Sequence, residues 1–124
     1  MEEAPCPTCN KPLRFEKVHT GFNDTGYAYC DRDGSLLVWD TFDPTYTALV
    51  GERHPWALDR NAEEQVERAL EACPCGGRFG LHNPPLCAHC GHDLRALVGP
   101  PIYFADFGQR FDPGRDRLWR PDLT

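Results

Sequence analysis

Four cysteines fall in two close pairs near the middle of the chain's second half: Cys73 with Cys75, then Cys87 with Cys90. Thiolates suit a borderline-soft ion such as zinc, and a tetrahedral site needs four of them at about 2.3 Å from the metal. Two tight turns, or knuckles, can deliver two each. Glycine follows each pair, at Gly76, Gly77 and Gly91. A backbone turning round an ion needs positive φ, which glycine accepts without strain. Pro74 fixes φ inside the first knuckle. The stretch therefore predicts a four-cysteine zinc site. Its one departure is the single residue between Cys73 and Cys75, where two are usual.

A second set lies nearer the N-terminus. Cys6-Pro-Thr-Cys9 is a knuckle with two intervening residues, followed by Asn10, a good non-glycine residue for a left-handed turn. Cys30-Asp-Arg-Asp33-Gly34 has the spacing and trailing glycine of Cys87-Ala-His-Cys90-Gly91, with aspartate in the second ligand position. A carboxylate binds zinc at about 2.0–2.2 Å, so Cys6, Cys9, Cys30 and Asp33 make a second candidate site. Two readings compete with it. Asp33-Gly34 also suits a hairpin turn without metal, and His19 is a rival for the fourth position. Sequential pairing is expected, with Cys6/Cys9 joined to Cys30/Asp33 and Cys73/Cys75 joined to Cys87/Cys90. The interleaved alternative joins Cys6/Cys9 to Cys73/Cys75 and Cys30/Asp33 to Cys87/Cys90. The long gap from Asp33 to Cys73 disfavours it.

These two sets resemble the knuckle pairs of zinc-ribbon (rubredoxin-like) modules. The resemblance covers residues 6–34 and 73–92. It implies metal binding, with zinc expected at two ions per chain and iron also known in such sites. It says less about function: members of that superfamily bind nucleic acid, bind proteins, or serve as structural inserts in enzymes.

The elements that must hold these turns are short. Leu13–Val18 alternates apolar and charged residues and reads as a strand, as do Tyr27–Cys30, Ser35–Asp40, Thr45–Val50 and Ile102–Phe107. Asp40 and Asp43 are read as turn residues, and residues 1–5 as a frayed end. Asn61 caps a helix, with Glu64 at the reciprocal capping position. Ala62, Val66, Ala69, Leu70 and Cys73 share one face of it. Gly51–Leu58 is an irregular link in which His54 receives no role and Trp56 packs on a core. The tail after Gly108 carries Phe111, Leu118 and Trp119 and is expected to dock on its own chain.

The 124 residues include 12 prolines, 11 glycines and seven cysteines, and 40% are hydrophobic. Such a chain has a modest core and needs a staple. The expected fold is a small α+β protein stapled by metal, with short antiparallel strands and one amphipathic helix. Three parts are expected: 1–58 and 59–107 as zinc-ribbon-like units, and 108–124 as the docking tail. The odd cysteine count, the close pairs and the acidic opening Met-Glu-Glu-Ala-Pro favour metal over disulfides and a cytoplasmic location.

The formal net charge of −6 is a poor footprint for nucleic acid. The preferred reading is a protein-interaction module, an acidic adaptor or inhibitor for a basic protein partner. The alternative is a nucleic-acid-binding or transcription-associated module, using Arg110, Arg115, Arg117 and Arg120 with Trp119. A membrane role is not expected. An enzyme is not expected either. A catalytic zinc needs an open position, and three thiolates leave the ion a weak Lewis acid.

Overall fold

The computed structural model describes residues 2–17, 25–40, 44–50, 60–87, 89–97, 99, 102–104 and 110–111. Expectations for His19, His54, Trp56, Leu118, Trp119 and the remaining tail arginines lie outside them. Seven strands and two helices are described: β1 (Glu2–Pro5), β2 (Pro12–Lys17), β3 (Thr25–Cys30), β4 (Leu36–Asp40), α1 (Pro44–Val50), α2 (Arg60–Ala69), β5 (Phe79–Gly80), β6 (Ile102–Phe104) and β7 (Arg110–Phe111).

They form two sheets, ordered β1-β2-β6 and β5-β3-β4-β7. All pairings are antiparallel except β4 with β7, which is parallel. Residues 1–5 were expected to fray. Instead Ala4 stands opposite Leu13 and strand β1 closes the edge of the first sheet. Burial explains it: Leu13 is fully buried and Ala4 packs on the same cluster. β7 pairs the tail residues 110 and 111 with β4; the rest of the expected docking tail lies outside the described residues.

Both sheets mix strands from either side of residue 58. β6 pairs with β2, and β5 pairs with β3. The expected division into units 1–58 and 59–107 is therefore crossed twice by main-chain hydrogen bonding.

The strand expected at 45–50 is helix α1 instead. Thr45, Tyr46 and Thr47 favour strands locally, but that preference yields to packing context. Pro44 sits at the first helical position, where its fixed φ suits a helix and its missing N–H costs nothing. Tyr46 is buried and Leu49 packs beside it, three residues on, against the cluster that holds α2. Among the described residues there are thus two short helices where one was expected.

Helix α2 buries Ala62, Val66 and Ala69, and Leu70 and Cys73 continue the same face into the core. It begins at Arg60, so Asn61 lies inside the helix rather than capping it. Glu64 reaches back to Arg60 at 3.5 Å. Both side chains are exposed, and a pair of this kind adds little stability.

β4 is buried on both faces. Leu37 and Trp39 face the helices, while Leu36 and Val38 join Tyr29 in a cluster against which Tyr103 of the other sheet packs. That is why Leu-Leu-Val-Trp shows no alternation of apolar and polar residues. Tyr29 also ties the sheets together. Its hydroxyl donates to the Ile102 carbonyl at 2.8 Å and accepts from the Ile102 amide at 2.7 Å. Burial raises its pKa, so it stays a phenol. Tyr29→Phe would leave both Ile102 groups without this partner, and an unsatisfied buried polar group costs about 1–3 kcal/mol. Denaturant unfolding of the metal-loaded variant should show a loss in that range. An unchanged midpoint would mean the bridge contributes nothing.

Candidate metal centres

Each of the four knuckles is closed by the same two backbone hydrogen bonds. In the first, the Asn10 amide donates to the Cys6 carbonyl at 2.9 Å and the Cys6 amide to the Lys11 carbonyl at 2.9 Å. In the second and fourth, Gly34 donates to Cys30 at 3.2 Å and Gly91 to Cys87 at 2.7 Å. Cys30 and Cys87 donate in turn to Ser35 at 2.8 Å and His92 at 2.9 Å. The third knuckle is shorter by one residue and keeps the plan. Gly76 donates to Cys73 at 2.8 Å, and Cys73 to Gly77 at 3.0 Å. The residue after the second ligand position has positive φ every time: Asn10 62°, Gly34 74°, Gly76 93° and Gly91 76°. The left-handed turns expected at Asn10 and Gly76 are present. Gly77 is not among the positive-φ residues, and its requirement is steric.

The knuckles pair in a nested order. Cys6, Cys9, Cys87 and Cys90 form an outer group, and Cys30, Asp33, Cys73 and Cys75 an inner one. All eight expected residues are thus brought together, but sequential pairing is overturned, and so is the interleaved alternative. Cys73 and Cys90, expected to share an ion, belong to different groups. The physical reason is the sheet order. β3 ends at Cys30 and pairs with β5, which directly follows the Cys73–Gly77 knuckle. That leaves the first and last knuckles to meet at the other sheet.

In the outer group Cys6 and Cys90 sulfurs are 3.7 Å apart, and those of Cys9 and Cys87 3.9 Å. A tetrahedral ion with ligand bonds of about 2.3 Å sets its sulfurs about 3.8 Å apart. In the inner group Cys30 and Cys75 are at 3.5 Å, and Cys73 Sγ lies 3.5 Å from Asp33 Oδ2. With a metal–oxygen bond of about 2.0 Å the expected sulfur–oxygen distance is about 3.5 Å. The donor atoms of each group all lie within 4.8 Å of one another. Both groups therefore fit a four-coordinate ion.

Sequence reasoning missed what holds Asp33. Its Oδ1 accepts the Ser35 amide at 2.8 Å, which orients the carboxylate toward the cysteines, as outer partners of metal ligands commonly do. Burial alone would raise its pKa, but hydrogen bonds from Ser35, and lesser ones from Cys30 and Cys75, hold it at about 2. Asp33 is charged at any physiological pH. Main-chain amides also face the sulfurs: Arg32 N–H points at Cys30 at 3.4 Å, and Gly77 N–H at Cys75 at 3.3 Å. Arg32 spans the two inner knuckles, its Nη1 donating to the Cys75 carbonyl at 3.2 Å.

The first ligand of every knuckle is buried: Cys6, Cys30, Cys73 and Cys87. Of the second ligands, Cys75 and Cys90 are exposed, with Cys9 and Asp33 half-buried. Burial pushes the Cys30 and Cys73 thiols up. The His92 amide draws Cys90 down, but desolvation and the neighbouring thiols of Cys87, Cys6 and Cys9 outweigh it, leaving about 12. The Cys9 amide, against some desolvation, brings Cys6 down to about 6. Without metal, then, Cys30, Cys73 and Cys90 hold protons at neutral pH. Binding must displace them, so metal affinity rises with pH, by about tenfold per pH unit for each proton displaced. Competition against a chromophoric chelator at pH 6.5 and 7.5 should show this rise. A flat response would mean that the thiols are not the ligands.

A family model described as "Domain of unknown function (DUF8255)" matches residues 2–96. The chain belongs to this family. The matched region contains both groups of donors and every strand of the first sheet except β6. No curated protein and no solved structure matches the chain.

Proposed function

We propose that this DUF8255 chain is a zinc protein with two structural sites, and that it works by binding another protein. The observation that carries the metal reading is the spacing of the eight donors, which fits two four-coordinate ions. Zinc is favoured over iron because one group includes a carboxylate, which zinc accepts readily beside thiolates. Each group already supplies four donors, and Asp33 is fixed by Ser35. A closed site of this kind supports structure rather than hydrolysis, which needs an open position.

The interaction reading is supported by the acidic balance, a formal charge of −6. Such a surface steers and orients a basic partner. Among the described residues no helix is long and apolar enough to cross a membrane. Seven cysteines outside any disulfide suit a reducing compartment, and we place the protein in the cytoplasm.

Elemental analysis of purified protein tests the metal reading first. Two zinc ions per chain are expected. Iron in their place, or a ratio near zero, would contradict it. For the partner, capture by the metal-loaded protein should weaken as salt rises, because the attraction between exposed charges is screened. Retention on heparin at low salt would instead favour nucleic acid.

A further inference from the structure

We propose that the two metal sites load as a unit, occupation of either raising the affinity of the other. The proposal rests on the metal reading above and goes beyond it, since two structural sites could equally fill independently.

Two contacts join the groups: the first lies one residue from a ligand on both sides, and the second starts one residue from an inner ligand and reaches the outer group through the core. Gly34 directly follows Asp33 of the inner group. A Cβ built there would lie 3.1 Å from both the amide nitrogen and the carbonyl oxygen of Leu86, the residue directly before Cys87 of the outer group. The inner knuckle is thus seated on the main chain that leads into the outer one. Tyr29 directly precedes Cys30 of the inner group, and its hydroxyl engages both main-chain groups of Ile102. Ile102 packs in the same cluster as Cys6 and Cys87. Ordering Cys30 around an ion therefore orders Tyr29, and through Ile102 the wall behind two outer ligands.

Chain order works in the same direction. Cys9 and Cys87 are 78 positions apart. Once the inner knuckles are joined, the span left to close falls to about 33 residues, a gain of about fourfold from loop entropy alone. The two contacts add to that. By linkage the effect is reciprocal: the outer ion must favour the inner one by the same factor.

The test uses the full metal-free chain, refolded with one equivalent of zinc and examined by native mass spectrometry. For a coupling of about 100-fold, near the upper end of common values, between sites of equal intrinsic affinity, the one-zinc species should stay near 10% of the total, with metal-free and two-zinc chains making up the rest. Independent sites of equal affinity would put about half the chains in the one-zinc form. Tyr29→Phe keeps all eight donors and removes the bridge, so its one-zinc fraction should rise several-fold. A one-zinc fraction in the unaltered chain no lower than in Tyr29→Phe would overturn the coupling. No zinc bound in any form would overturn the metal reading beneath it, an outcome separate from that one.

Discussion

Removing the metal with an excess of strong chelator is expected to abolish the cooperative thermal transition rather than lower its midpoint. Among the described residues, the buried ones fall into three clusters. The first two each contain a pair of ligands, Cys30 with Cys73 and Cys6 with Cys87. These cysteines are core residues and donors together, so losing the ion loosens the centre of each cluster. Zinc binding in small peptides supplies on the order of 10–16 kcal/mol per site. A whole domain is stable by about 5–15 kcal/mol. A loss of that size is comparable to a whole domain's stability. Circular dichroism on heating should show a broad drift in place of a sigmoid. A stripped sample that melts like the loaded one would end the idea that metal staples this fold.

The second large effect is expected at Gly77→Ala. A Cβ there would stand 2.5 Å from Cys30 Sγ, 2.8 Å from Arg32 Cβ and 3.0 Å from Asp31 Oδ1. The glycine cannot easily retreat. Its amide faces Cys75 Sγ and its carbonyl accepts the Cys73 amide. A sulfur held by metal is not a flexible side-chain end, so the overlap falls on the Cys30 ligand. Overpacking costs about 1–3 kcal/mol, and zinc affinity at the inner group should fall about 10- to 100-fold. Gly99→Ala is the control, because a Cβ there meets nothing within 4 Å. Competition titrations of the two variants should separate them. Equal affinity in both would mean that Gly77 is not pressed against the site.

How much of this was legible in the sequence depends on how local the signal is. Knuckle chemistry lives within five residues, so the cysteines, Asp33, and the turns at Asn10 and Gly76 could be read directly. The buried face of α2 was legible too, because helical spacing puts Ala62, Val66 and Ala69 together. Pairing of the knuckles was not. Every knuckle offers the same donors in the same turn, so any two satisfy local chemistry, and the choice is made by distant strand pairing at Cys30↔Phe79 and Lys17↔Ile102. One clue was present. The two knuckles of regular C-x-x-C spacing go together, and the two irregular ones, with Asp33 and with Cys73-Pro-Cys75, form the other group. Helix α1 was misread for a related reason: Thr45, Tyr46 and Thr47 favour a strand by their own preferences, and the packing of Tyr46 and Leu49 into the cluster overrides them.

The nested pairing can be observed without reference to stability. Protein loaded with two equivalents of cadmium-113 gives two metal resonances, each correlated through bonds to the β-protons of its own cysteines. The account predicts one ion coupled to Cys6, Cys9, Cys87 and Cys90, and another to Cys30, Cys73 and Cys75 alone, its fourth position being Asp33. A single cadmium coupled to both Cys6 and Cys30, or to both Cys73 and Cys90, would contradict it.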